Sequence, residues 1–494
     1  MMFCRSTFKS FTSGIMHRSL VVLAAMAMLS PVRASAQGMD CTRSAGNSRL
    51  LVVSDIGNEP DDAESLVRLL LYTNEIDVEG LVASTSVWQR ERTRPELMRE
   101  RIDAYAQILP NLRTHDCRFP EANMFKAAVK VGSAQYGMVG VGAGRGTEGS
   151  RAIISAIDRD DPRPLWIALW GGAVDLAQAL WDIKATRDPA AIKRAVGKLR
   201  IYAISDQDDA GPWIRRNFPQ LFWVGSIHAF NDYSLATWRG LSGDLYRKPN
   251  EANPPVAGPD GRLVTNAWLE ANIRRGPLGE KYPPWLYAME GDTPSFLNLV
   301  RNGLSDPAHP DWGGWGGRYG KISSADGLFT DASDSVMGKD GQRYRDNQAT
   351  IWRWREAYQN DFAARIAWTV SPDFKSANHP PRPIVRGDNS DAILSIRAEP
   401  DELVELDASE SSDPDGDALT FQWFFYPEAS GTPHTAPPAL TGADSARVSF
   451  KMPEDGLSVL HLILAVRDRG TPAITRYKRI IFCSSHRDCA ASPS

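Results

Sequence analysis

Residues 50–70, LLVVSDIGNEPDDAESLVRLL, constrain the fold more than any other stretch of the chain. The first four residues are an uninterrupted apolar run, the pattern of a strand buried on both faces. Leu66, Leu69 and Leu70 return at helical spacing. Between them Asp55, Asn58, Glu59, Asp61 and Asp62 crowd into one short turn. A strand, an acidic turn and a helix in that order predict an α/β fold, where ligands bind beyond the carboxyl ends of parallel strands. Acids that open a helix can serve only to complement its dipole. Carboxylates this dense, however, repel one another unless a cation lies between them, and all-oxygen donors suit a hard cation, Ca²⁺ before Mg²⁺.

The same pattern recurs downstream. A second apolar strand, centred on residues 78–84, completes a βαβ unit and hence a parallel sheet. The loop after it carries Trp88, a surface for a sugar or a base. Residues 94–110 have helical periodicity. The glycine-rich segment 137–149 lacks the Gly-Lys-Ser/Thr ending of a phosphate loop and is expected to be a flexible loop near the pocket. Residues 164–180 repeat strand, tight turn and amphipathic helix, with Gly171, Gly172, Val174 and Asp175 at the turn. Residues 199–205 form another strand, followed by a second acidic turn with Asp206 and Asp209 as pocket-wall candidates; His228 and Asn231 follow a short strand at 222–224. Glu290 and Asp292 precede Thr293-Pro294, and Trp312 and Trp315 sit among glycines in a loop suited to facing a sugar.

The first of these motifs carries a resemblance. Asp55 to Asp62, followed by Ser65-Leu-Val-Arg-Leu-Leu-Leu-Tyr72, resembles the N-terminal signature of a nucleoside-hydrolase-like family, some of whose members are labelled cellulose-binding proteins. It also resembles the nucleoside hydrolases themselves, whose signature reads Asp-x-Asp-x-Gly-x-Asp-Asp-Ala. With Asp61 and Asp62 aligned, Asp55 takes the place of the first Asp and Gly57 that of the second, the expected calcium ligand and base. The resemblance implies an open, mostly parallel sheet with helices on both faces. It implies Ca²⁺ held by Asp55, Asp62, Asp292 and the Val174 carbonyl, and catalysis by Asp55 or Glu59. It places Asn58, Asp61, Trp88, Asp175 and Glu290 on the substrate. The His expected before Asp292 is absent.

Beyond Pro380-Pro381-Arg382-Pro383 the pattern changes to alternation, at residues 403–406, 419–423, 446–450 and 460–466, with turns rich in Asp, Gly and Pro. These features predict an all-β, immunoglobulin-like sandwich. The Asp413-Pro-Asp415-Gly-Asp417 turn resembles those of polycystic-kidney-disease-repeat or cadherin modules, and its acids are candidate Ca²⁺ ligands. An EF-hand is excluded, because no helices flank the turn and the terminal Glu is missing. The expected organisation is a signal peptide at 1–36, a nucleoside-hydrolase-like domain at 48–370, a linker at 371–384 and the sandwich at 385–484.

Residues 1–36 combine a basic start, a short apolar stretch at 19–29 and Ala34-Ser35-Ala36, the form of a secretory signal. Secretion or a periplasmic location is therefore expected, and with it disulfides among Cys41, Cys117, Cys483 and Cys489; sequence allows three pairings, of which Cys41 with Cys117 and Cys483 with Cys489 is preferred. A net charge of −4 argues against a nucleic-acid partner, and no segment is apolar enough to span a membrane. Fifteen Trp offer either sugar platforms or core. Two functions fit: a secreted, metal-dependent hydrolase of glycosidic or N-glycosidic bonds, or a non-catalytic protein that binds a sugar or a cellulose-like glucan on the same scaffold.

Overall fold

A computed structural model describes residues 41–42, 44–227, 233, 235–242, 258–430, 436–454 and 459–483. The expected signal segment, Cys489, His228 and Asn231 lie outside the described residues. The apolar run forms strand β1 (Ser48–Ser54). Its side chains divide between two cores: Leu50 and Val52 join one, Leu51 and Val53 the other, all four with no exposed surface. A strand with both faces buried has to lie inside a sheet covered by helices on each side.

That sheet has eight strands in the order β3-β2-β1-β4-β5-β6-β8-β7. They are β2 (Ile76–Ala83), β3 (Val129–Val131), β4 (Leu165–Leu169), β5 (Leu199–Ala203), β6 (Phe222–Gly225), β7 (Tyr319–Lys321) and β8 (Leu328–Asp331). All neighbours pair in parallel except β7 with β8. Helices α1 (Asp61–Leu70) and α2 (Pro95–His115) cover one face. Helices α3 (Ala122–Ala128), α4 (Glu148–Asp158) and α5 (Val174–Thr186) follow, and α4 and α5 cover the other face through Ile153, Leu176 and Leu180. β1 pairs with β2 on one side and β4 on the other, so the strand order reverses there. Such a switch point opens a crevice at the strands' carboxyl ends, where the acidic turn lies.

Sequence alone ends α2 at Pro110, but the helix continues to His115. Tertiary contacts outweigh the proline: Leu112 is fully buried, and His115 Nε2 hydrogen-bonds the Ser371 carbonyl at 2.8 Å. Cys117, just beyond, is disulfide-bonded to Cys41 as expected, and Cys483 is also in a disulfide.

A short hairpin, β9 (Asp334–Met337) with β10 (Arg343–Asp346), precedes a long helix at Arg355–Val370. The C-terminal strands form a four-stranded sheet, β11-β16-β15-β13, and a two-stranded one, β12-β14. These are β11 (Leu394–Arg397), β12 (Leu403–Asp407), β13 (Thr420–Phe425), β14 (Arg447–Lys451), β15 (Val459–Arg467) and β16 (Thr475–Cys483). One face of the larger sheet packs on the smaller through Trp423, Phe425, Leu462 and Phe450. Its other face carries Ile463 and Tyr477 into the core of the α/β part.

β16, like β11, lies outside the alternating stretches, and in β16 Arg476, Lys478 and Arg479 interrupt the pattern. All three are buried and engaged. Arg476 pairs with Asp361 at 2.7 Å, Lys478 donates to the Ser390 carbonyl, and Arg479 donates to the carbonyls of Leu304 and Gly313. The Trp-Gly loop likewise departs from expectation. Trp312 and Trp315 face the core beneath the C-terminal sheet, Trp315 with 0% exposure, and offer no sugar platform.

Asp361 joins these parts. It accepts from Tyr72 at 2.6 Å and pairs with Arg365 at 2.9 Å as well as Arg476. Arg365 also holds Glu75 and the Leu71 carbonyl. Removing one member of a buried ionic network leaves its partners desolvated and unpaired. Arg365→Met is expected to lower stability by about 3–5 kcal/mol, measured by urea unfolding.

Candidate functional site

The turn after β1 is held open by backbone geometry. Gly57 has φ +104°, and a Cβ there would stand 2.8 Å from Leu97 Cδ1, so both the conformation and the space require glycine. Ser54 Oγ accepts from the Ile56 amide at 3.1 Å and donates to Asp62 Oδ1. The loop after β2 braces the other side. Ser86 Oγ donates to Asp55 Oδ2, and Gln89 Nε2 donates to the Asp55 carbonyl at 3.0 Å. At the end of β4, Gly171 lies against Asp55; a Cβ there would meet its Cβ and Oδ1 at 2.9 Å.

Asp292 reaches the same place from 230 residues further on. Its segment is anchored by a buried ion pair behind the site: Arg68 of α1 binds Glu290 through Nε and through Nη2, the latter at 2.9 Å. Glu290 also accepts from Tyr282 and Thr293 at 2.7 Å. Its φ of +50° is an unusual backbone state for a non-glycine residue.

These elements enclose a cavity of about 320 Å³. Asp55, Asn58, Glu59, Asp61, Asp62, Trp88 and Asp292 line it, together with Trp170, Ile204, Gln207, Tyr233, Trp238, Arg239, Tyr287 and Ala288. Asp61, Asp62 and Asp292 each offer an oxygen within 4.8 Å of the others. Asp292 Oδ2 is buried without a hydrogen-bond partner. Burial first, then the charges of neighbouring acids, Asp55 and Glu59 among them, holds the carboxyls of Asp61, Asp62 and Asp292 well above the usual range. Asp55 is pushed up to about 6, chiefly by burial. Glu59 is raised by burial and by the charge of Asp55. Three converging carboxylates with an orphaned oxygen fit a hard divalent cation, which supplies the positive charge these residues lack.

Other predicted site residues lie elsewhere. Val174 and Asp175 begin α5 in the buried interior and do not line the cavity. Asp175 is occupied by Ser84 and Thr147, each at 2.6 Å, and by the Ser133 amide. Glu290 is taken up by Arg68 rather than exposed to a substrate. Asp206 pairs with Arg215, Asp209 accepts from the Met138 amide, and neither lines the cavity. The glycine-rich segment at 137–149 contributes no lining residue either; Gly140 and Gly149 pack against Val174 and Asp175.

Several wall residues had no sequence signal. Gln207 was flanked by one, the second acidic turn; its amide is fixed by donation to the Trp170 carbonyl at 2.6 Å. Tyr233, Trp238 and Tyr287 come from a stretch without periodicity. They give the cavity an aromatic wall beside its acidic floor, the combination that packs against the apolar face of a sugar and accepts from its hydroxyls.

This fold, with an acidic pocket at its switch point, defines a nucleoside-hydrolase-like protein. The family model "Cellulose-binding Sde182, nucleoside hydrolase-like domain" matches residues 49–319, and "Cellulose-binding protein Sde0182, C-terminal domain" matches residues 403–483. The chain belongs to this cellulose-binding Sde182 family of nucleoside-hydrolase-like proteins. It is similar to a solved structure from Saccharophagus degradans, a nucleoside hydrolase-related hypothetical protein associated with carbohydrate metabolism. The identity is 33% and the TM-score 0.74, over 89% of this chain and 100% of that one. No curated protein matches the chain.

The raised carboxyls make a test of the cluster. With a chelator present, Asp292→Asn is expected to stabilise the protein by about 1 kcal/mol at pH 8, since it removes one of several repelling charges. A carboxyl whose folded-state pKa is raised destabilises the fold only where it is ionised. The gain should therefore shrink at pH 5, where the native acids take up protons. Thermal melts of both proteins at the two pH values check this, and the comparison cancels contributions from the rest of the chain.

Proposed function

We propose that this chain is an exported, Ca²⁺-dependent hydrolase that cleaves a glycosidic or N-glycosidic bond of a small, neutral sugar-containing substrate. The observation that carries the reading is the convergence of Asp61, Asp62 and Asp292 within one cavity, where Asp292 Oδ2 is buried without a hydrogen-bond partner. A cavity of about 320 Å³ is at the small end for ligand sites and suits one short substrate better than a polymer face. Carboxylates on most of the floor disfavour anionic substrates and accept from hydroxyls.

Asp61, Asp62 and Asp292 would hold the cation, which supplies electrostatic stabilisation and lowers the pKa of a bound water. Asp55, poised near neutrality by burial, takes the proton of the attacking water. Glu59, raised by burial and by Asp55, donates to the leaving group. Trp88, Trp238 and Tyr287 position the sugar against the floor. The transition state has oxocarbenium-ion character, which flanking carboxylates favour.

One observation favours binding without turnover. Gly57 stands where nucleoside hydrolases are expected to carry a second Asp, and Leu97 and Arg94 fill the space a side chain there would need. The family's cellulose-binding description agrees with that reading.

The test is hydrolysis of a panel of nucleosides, nitrophenyl ribosides and other nitrophenyl glycosides, with Ca²⁺ or chelator. For a hydrolase, turnover requires Ca²⁺, Asp62→Ala abolishes it, and Asp55→Asn lowers kcat about 10²–10⁴-fold. Absence of turnover across the panel, with calorimetric binding to a soluble glucan, would establish the binding reading instead.

A further inference from the structure

A second cleft lies where the four-stranded C-terminal sheet parts from the long helix. Its volume is about 350 Å³, as large as the acidic pocket, and the two share no lining residue. The strand register explains why it opens there. Side chains two apart along a strand share a face, and pairing sets those of neighbouring strands in rows. Phe424 of β13, Ile463 of β15 and Arg479 of β16 form one row, in which Ile463 and Arg479 are fully buried. The next row outward is Gln422, Ala465 and Tyr477, and the last is Thr420, Arg467 and Thr475. Exposure rises from row to row, so the sheet leaves the helix toward its Thr420 end. Ala465 on the sheet and Ala357 on the helix both line the cleft and are too small to fill it.

The deep side is aromatic. Trp354, Phe424 and Tyr477 line it, with the Trp354 and Tyr477 rings edge to face at 5.5 Å. Trp354 is 3% exposed, and its indole N–H has no acceptor among the described residues, where buried donors ordinarily find one.

The rim carries charges that cancel. Arg467 on the sheet meets Glu356 on the helix at 3.1 Å, and Glu356 also takes Lys339 at 3.0 Å. Arg353 pairs with Glu428 at 3.0 Å and with Asp334 at 3.2 Å. Arg318 on Asp334 and Asp260 beside Lys339 keep the sum at zero. No net charge is left to select an ion. The mouth adds the hydroxyls of Thr420 and Thr475 and the exposed amide of Gln422. Aromatic walls, uncharged hydrogen-bonding groups and a neutralised rim suit a ligand with apolar ring faces, hydroxyls at its edges and no charge of its own.

We propose that this cleft is a second ligand site, which takes a segment of a neutral oligosaccharide, one sugar ring against Trp354 and Tyr477 and its hydroxyls on Gln422, Arg467 and Glu356. The Arg467–Glu356 pair is half-exposed and adds little to stability, so its side chains can turn to hydroxyls at small cost. The site depends on neither the metal nor the chemistry of the acidic pocket.

The experiment is calorimetry of the full chain with tetrasaccharides of glucose, xylose and mannose. Chelator is present so that metal-dependent turnover does not intervene. The chain carries Asp61→Ala, which removes an acceptor of the acidic pocket. The expected result is saturable binding of at least one tetrasaccharide at one site per chain. Adding Gln422→Ala should weaken it about three- to tenfold, the loss of one hydrogen-bonding side chain. Adding Ala465→Leu in a separate protein should abolish it by filling the gap. Gln422 is exposed, so its replacement leaves the fold intact even if the Ala465 variant fails to fold. Absence of binding to all three tetrasaccharides, or binding that Gln422→Ala leaves unchanged, would overturn the site. A hydrolysis panel without turnover would sink the hydrolase reading of the pocket and leave these isotherms as they stand.

Discussion

Like charge concentrated behind a buried strand governs this molecule. Asp55, Asp61, Asp62 and Asp292 meet at the carboxyl end of β1 in surroundings that disfavour their ionised forms. Such an arrangement persists only if the rest of the structure over-determines it. Ser54, Ser86 and Gln89 grip the turn by hydrogen bonds. Behind it, the Arg68 guanidinium clamps Glu290 and so keeps the segment bearing Asp292 from retreating. The same guanidinium lies 3.9 Å from the centroid of the Phe362 ring, on the long helix. Even the pocket's rear wall is thus connected to the C-terminal part of the chain.

That connection is polar as well as apolar. Asp361 pairs with Arg476 of β16 and with Arg365 of its own helix at once, while Trp315 packs edge-on against Tyr358 and Tyr477. Buried ionic networks are weak sources of net stability, yet they penalise any arrangement that leaves a member unpaired. Their value here is geometric: they allow one way of seating the C-terminal sheet.

Legibility in the sequence followed how local each signal is. β1, its turn and α1 could be read almost residue by residue, because a buried parallel strand, an acid cluster and a helical period lie in one window. The sandwich strands with ordinary alternation were equally plain. β16 was not, since its buried cations look like surface residues until Asp361, Ser390 and Leu304 are known to meet them. Asp175 and Glu290 illustrate the opposite difficulty. An acid at a strand end looks the same in sequence whether it faces a cavity or satisfies hydroxyls and a guanidinium in the interior. The aromatic wall at Tyr233, Trp238 and Tyr287 depends on irregular backbone, for which no period exists to be read.

The four-stranded C-terminal sheet has apolar side chains on both faces, one set for the smaller sheet and one for the α/β core. A module joined in this way is not a bead on a string. Cut from its neighbour, it would bare Ile463 and Tyr477 to water, and the remaining part would lose the cover over Trp315 and Trp354. The two halves of this chain are thus interdependent for solubility.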